Sequence, residues 1–202
     1  MALIVIEGNI GAGKSTILKA LAKLGYPVIC EPLDDWGECV WKMLYSEKEE
    51  RDISRANEII LKSRLDMHVR GKKMSMECGR PAIIERSYQV VEHVFLKNSL
   101  FTGSITEEEY EKCSKKLRKT INKICPPTPD GVIFLSLDPK LCYERVESRN
   151  EKSKSISFEF LKALELQYKS YLQQVCSNVV YVDSGLPFTE TLKKVQCELE
   201  KF

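Results

Sequence analysis

The stretch Gly8-Asn9-Ile10-Gly11-Ala12-Gly13-Lys14-Ser15-Thr16 has the GxxxxGKS spacing of a Walker A loop, whose chemistry is phosphate binding. Gly8, Gly11 and Gly13 permit backbone angles that side chains would block, so successive N–H groups can turn inward around an anion. Lys14 is placed to reach β and γ phosphates, and the Ser15 hydroxyl suits Mg²⁺. Two apolar runs end in acids: Val28-Ile29-Cys30 at Glu31-Pro32, and Ala82-Ile83-Ile84 at Glu85-Arg86-Ser87. An isolated Glu-Pro is a surface turn by default. With the phosphate loop upstream, Glu31 becomes a candidate general base, and Glu85 and Arg86 suit support of a metal and neutralisation of transition-state charge. A third run, 132–137, ends at Asp138-Pro139, so Asp138 competes with Glu85 for the metal; Asp before Pro is also a helix start. Arg145 and Arg149, four apart, share a helix face ahead of a polar segment. That segment, about 149–156, reads either as a lid over a nucleotide or as an ordinary surface loop.

The elements that must position these groups follow from periodicity. Apolar runs at 3–6, 28–30, 82–84, 132–137 and 179–182 read as five strands alternating with helices. The pattern predicts one α/β domain over residues 1–202, a doubly wound five-stranded parallel sheet with helices on both faces. In such a sheet ligands gather at the carboxyl ends of the strands, which turns Glu31 and Glu85 toward the phosphate loop. Helices are expected at 37–46, 53–73, 88–98, from Thr106 to the Pro126-Pro127 stop, after Asp138, at 158–175 and at 187–202. Asn57, Arg64 and His68 are available to a cleft, while Phe95 shares the face of Val91. Trp36 and Tyr45 could line a pocket or fill the core, and pattern alone favours the core. Tyr168 falls on a helix whose apolar spacing has core burial as its obvious purpose. His68 and His93 read as structural.

Composition narrows the classes. The 31 basic and 29 acidic residues leave a net charge of +2, with no face-long basic run that would make nucleic acid the main partner. Eight scattered cysteines show no CxxC pair and no zinc spacing, and read as free thiols in a reducing cytoplasm. Met1 stands one residue before the first strand, so no targeting peptide is expected, and no apolar run is long enough to span a membrane.

Taken together, the motifs resemble those of the deoxynucleoside kinase family of the thymidine kinase and deoxycytidine kinase type. Residues 8–16 match its P-loop, Glu31-Pro32 with Trp36 its EPxxxW segment, and Glu85-Arg86-Ser87 its ERS triplet; Tyr45, Phe95 and the Arg145/Arg149 lid helix fall in register. The resemblance covers nearly the whole chain. It implies a P-loop kinase fold and ATP- and Mg²⁺-dependent phosphorylation of a deoxyribonucleoside 5′-hydroxyl, by a homodimer. It implies that Glu31 is the general base, that Arg86 orients it and binds phosphate, and that Glu85 and Ser15 hold Mg²⁺. Arg145 and Arg149 resemble the lid arginines that neutralise the transferring phosphoryl group, with Lys14 completing the set. Trp36 and Phe95 resemble the aromatics that sandwich the base, and Tyr45 the partner of the sugar 3′-hydroxyl.

Three departures stand out. Ala56-Asn57 occupies the place of a Phe-Gln pair that reads the base edge. Arg64 matches an arginine that the family pairs with an aspartate, yet Val91 stands where the aspartate would be, which leans toward a pyrimidine and thymidine first. The lid is one residue short and lacks an arginine, leaving Glu151 for a second 3′-hydroxyl contact and Lys152 or Lys154 as substitutes. Two rivals remain. A thymidylate-type kinase has a similar loop but should show a DR motif in place of Glu85-Arg86. A noncatalytic nucleotide switch is disfavoured by the absence of NKxD and by an acid poised as base.

Overall fold

The computed structural model describes residues 2–45, 51–148, 156–175 and 178–202, with the backbone alone at Tyr45 and Val175. Strand β1, Leu3–Gly8, is buried along its whole length, which is why it reads as an unbroken apolar run rather than an alternating one. Around it stand β2 (Val28–Ile29), β3 (Ala82–Glu85), β4 (Gly131–Ser136) and β5 (Val179–Asp183), all parallel in the order β2-β3-β1-β4-β5. The order reverses at β1, so the crevice above β1 and β3 is where a ligand belongs. Ile6 lies in register with Glu85 on one side and Ile133 on the other.

Helices cover both faces, as the sequence predicts. They are α1 (Lys14–Lys23), α2 (Leu33–Tyr45), α3 (Ile53–Cys78), α4 (Lys97–Phe101), α5 (Glu107–Ile124), α6 (Pro139–Glu147), α7 (Phe158–Val175) and α8 (Phe188–Leu199). Successive residues of β1 point to opposite faces and seed two cores. Ile4 and Ile6 pack with Leu18 and Leu21 of α1 and Val195 and Leu199 of α8. Leu3 and Val5 pack with Met67 of α3 and Leu164, Tyr168 and Leu172 of α7. A third cluster joins Trp36 and Val40 of α2 to Leu61 and Leu65 of α3, Val91, and Leu117 of α5.

Local chemistry sets the ends of the elements, and several differ from expectation. Helix α2 starts four residues early and is interrupted at Gly37, whose φ of 63° and ψ of −179° leave the helical region. Helix α3 runs five residues further than periodicity suggests: Asp52 caps its start by accepting from the Arg55 N–H (2.9 Å), and only the left-handed Gly79 ends it. Residues Val91–Leu96 form a π-helical segment instead of a plain α-helix, a feature that often accompanies functional sites. Thr106 and Glu109 make a capping box on α5. Asp138 Oδ1 accepts from the Lys140 N–H at 2.7 Å, so Asp138 caps α6, the helix-start reading of Asp-Pro.

Candidate active site

The phosphate loop leaves β1 at Gly8 and enters α1 at Lys14. Its close packing demands glycine: a Cβ on Gly11, at φ 89°, would lie 2.4 Å from the carbonyl oxygen of Cys142. Within the loop Lys14 Nζ folds back and donates to the carbonyls of Gly8 (3.0 Å) and Asn9 (2.9 Å). Burial, reinforced by the nearby Arg86 charge, lowers the Lys14 ammonium to about 7. Asn9 locks the loop from outside, its Nδ2 donating to Leu161 O of α7 (2.9 Å). Ile10, Gly13 and Ser15 face a cavity of about 300 Å³, and Ala12 and Thr16 face a second cavity on the other side.

Glu85, at the end of β3, joins the loop to β2. Its Oε1 accepts from Ser15 Oγ (2.8 Å), and its Oε2 from the Glu31 N–H (3.3 Å). One hydroxyl and one carboxylate suit Mg²⁺, which keeps several waters and takes substrate phosphate oxygens rather than an all-protein cage. Among the described residues no group of three or more His, Cys, Asp or Glu gathers into such a cage.

Glu31 sits between two arginines. Arg64 donates to its Oε1 through Nε (3.0 Å) and through Nη2, while Arg86 Nε donates to its Oε2 (3.3 Å). Burial alone would raise the Glu31 carboxyl, but the charges of Arg64, Arg86 and Lys14 outweigh it and hold the acid below the usual carboxylate range. Arg86 itself adopts φ 63°, a left-handed backbone that a side chain rarely takes. It is held by its N–H on Ile6 O (3.1 Å), its Nη1 on Gly8 O (3.2 Å) and on Tyr168 Oη, and by the next N–H, Ser87, on Glu7 Oε1 (2.7 Å). The cleft therefore gathers three acids, Glu7, Glu31 and Glu85, against three bases, Lys14, Arg64 and Arg86, with their side chains buried. Such a set is stable only because each charge has partners.

The same cavity holds both kinds of surface. Lys14, Ser15, Glu31, Glu85 and Arg86 line its polar end, and Trp36, Val40, Val91 and Phe95 its apolar end, with Asn57 and Arg64 between. The Arg64 guanidinium carbon lies 6.0 Å from the Trp36 ring centre and 5.4 Å from that of Phe95, and Arg86 lies 5.1 Å from the latter. Trp36 is thus both core and pocket wall. Asn57, which lines the cavity, donates Nδ2 to Ile53 O of its own helix (2.7 Å). Arg64, expected to face a base, is engaged with Glu31, and its buried Nη1 has no hydrogen-bond partner among the described residues.

Arg145 lies elsewhere. Its Nη2 donates to Ser184 O (3.0 Å), and with Ala12, Gly13, Thr16, Leu186 and Phe188 it lines the second cavity, of about 210 Å³. Arg149, Glu151 and most of the 149–156 lid lie outside the described residues, as does the side chain of Tyr45. His68 is structural: its Nδ1 donates to Pro127 O (3.1 Å), its Nε2 accepts from the Tyr88 N–H (3.4 Å), and burial lowers it to about 4. Sequence reasoning missed Glu7, Tyr168, Ser184 and Phe188. The last two follow β5, and the strand-end rule that flagged Glu31 would have flagged them.

A cavity whose apolar end is walled by Trp36 and Phe95 and whose polar end meets a phosphate loop and a buried carboxylate is an arrangement suited to phosphoryl transfer. The family model described as deoxynucleoside kinase matches residues 4–200. The chain belongs to the deoxynucleoside kinase family. It is a nucleoside kinase, and its relatives carry mixed names. Deoxyguanosine kinase of Dictyostelium discoideum is 27% identical over 186 residues, 90% of this kinase and 63% of that protein. An Archaeoglobus fulgidus protein named "Probable thymidylate kinase" is 27% identical over 206 residues, 99% and 95% of the two chains. A solved deoxyadenosine kinase from M. mycoides, with dCMP and dCDP bound, shares the fold with a TM-score of 0.77 at 20% identity, covering 98% of this kinase and 99% of that chain.

Proposed function

We propose that this kinase transfers the γ-phosphate of ATP to the 5′-hydroxyl of a deoxyribonucleoside, a pyrimidine first and thymidine foremost. The observation that carries the reading is Glu31, a carboxylate buried between the phosphate loop and the Trp36–Phe95 end of the cavity. Held ionised by its arginines, Glu31 takes the proton of the 5′-hydroxyl as that oxygen attacks phosphorus. To do so the hydroxyl displaces Arg64 from Oε1, while Arg86 keeps Oε2 and turns its remaining N–H groups toward the phosphoryl oxygens. Lys14 swings from the loop carbonyls onto the phosphates. Ser15 and Glu85, with oxygens of the donor, would hold Mg²⁺, which would supply charge neutralisation. The donor's base fits the second cavity, where Arg145 and Phe188 present flat surfaces next to Gly13. Arg149 and Lys152 or Lys154 are assigned to the transferring phosphoryl group, and Tyr45 and Glu151 to the sugar 3′-hydroxyl.

The pyrimidine preference rests on Val91, which offers a base no hydrogen bond, and on Asn57, which lines the cavity and carries the amide that would read the base edge. The one-domain organisation, the homodimer and the cytoplasmic setting belong to the same proposal through family resemblance. A second reading, phosphorylation of a nucleoside monophosphate, is favoured by the Archaeoglobus relative's name. Transfer of labelled γ-phosphate from ATP with Mg²⁺ to thymidine, deoxycytidine, deoxyadenosine, deoxyguanosine, uridine and dTMP separates them. Thymidine and deoxycytidine should be the best acceptors; product from dTMP alone would establish the second reading.

A further inference from the structure

We propose that Tyr168 and Glu7 are positioning residues for the reaction: Tyr168 fixes one end of the Arg86 guanidinium so that the other end meets Glu31, and Glu7 fixes Tyr168. The inference rests on Glu31 being the base, and assigns work to two residues that touch neither substrate nor phosphate. Tyr168 lies on α7, fully buried among Leu3, Val5, Val90, Phe134 and Leu164, where a phenylalanine would serve for packing alone. A hydroxyl in such surroundings costs stability unless it is satisfied, and this one is satisfied on both sides. It accepts from Arg86 Nη1 and donates to Glu7 Oε2 at 3.3 Å.

Glu7 has a second hold on the same arginine. Its Oε1 takes the Ser87 N–H at 2.7 Å, pinning the residue that follows the left-handed Arg86. A non-glycine residue persists at such a φ only where its surroundings over-determine it. Here the pins converge on Arg86 from β1 and α7, leaving Nε free to point at Glu31 Oε2. No proton has to travel: Arg86 donates to Tyr168, Tyr168 donates to Glu7, and the chain acts through geometry. Without the hydroxyl, Nη1 keeps only Gly8 O, the guanidinium can turn, and Glu31 loses one of its two cations for part of the time.

The test is Tyr168→Phe, which removes one oxygen and keeps the ring. The expected result is a kcat lower by about 10-fold or more, a KM for ATP within about 2-fold, and an acid limb of the kcat pH profile moved upward by about half a unit. A wild-type kcat overturns the proposal, and so does a lower kcat with the acid limb unmoved, since lost packing would not shift a titration. Should the variant melt below the assay temperature, Glu7→Gln decides. It keeps an acceptor for the Ser87 N–H but offers Tyr168 none; kcat should fall by about 3-fold with the KM for ATP within about 2-fold, and a wild-type kcat overturns the proposal. Glu31→Gln, run alongside, separates the two levels. An inactive Glu31→Gln with an unaltered Tyr168→Phe sinks the relay alone; an active Glu31→Gln sinks the assignment of the base.

Discussion

Raising the pH above neutrality should weaken ATP binding through a single group, Lys14. In the unliganded kinase its ammonium is lowered to about 7, because burial strips its water and Arg86 adds a like charge. A bound triphosphate supplies the missing counter-charge, so the lysine returns to its protonated form on binding. Above about pH 7 the kinase must therefore take up a proton to bind ATP, and affinity should fall toward a limit of about tenfold per pH unit. Between about pH 7 and pH 9 the total reaches roughly 100-fold at most. The γ-phosphate is already ionised over that range, with a second pKa of about 6, so it contributes little. Calorimetry at about pH 8 in two buffers of different ionisation heat should give an uptake of about 0.9 proton per ATP. Lys14→Arg, whose guanidinium stays charged, should take up none and bind with a flat pH dependence. Equal uptake by both proteins, or none by the wild type, would refute the reasoning.

Other consequences follow from particular contacts. Arg64→Met removes the nearest cation from Glu31 Oε1, so the acid limb of kcat/KM should rise by about one pH unit in a pH–rate profile. His68 is lowered to about 4 in the fold, so the unfolded chain binds the extra proton first as pH falls through 6.5. Stability should therefore drop between about pH 6.5 and pH 4, by up to about 3 kcal/mol, and be level below that; His68→Gln should flatten the slope in urea titrations. Gly11→Ala forces a Cβ against Cys142 O at a positive φ, and should abolish ATP binding with a lower melting temperature.

What was legible in the chain was whatever leaves a local signature. The loop from Gly8 to Thr16, the acids at the ends of β2 and β3, and the helix caps at Thr106 and Asp138 are each set by near neighbours, and they stand as the sequence predicts. Less legible was everything decided by residues far apart. Tyr168 shares the spacing of its apolar neighbours, and nothing local tells that its hydroxyl meets Arg86, 82 positions away. Arg64 looks like a base reader by position, but with Val91 opposite it finds its counter-charge in Glu31. Arg145 lies on the expected helix face, yet the turn after β5 takes its guanidinium. Gly37 and the π-helical segment escape detection because apolar periodicity cannot distinguish a kinked or widened helix from a regular one.

Glu31→Gln tests the central claim most directly, because it preserves size and polarity while removing the base. Its turnover with thymidine and ATP should fall by about two orders of magnitude or more, while ATP binding, measured by calorimetry, stays within a few-fold of wild type. Turnover near the wild-type rate would contradict the account, since no buried carboxylate would then be needed to take the proton from the 5′-hydroxyl.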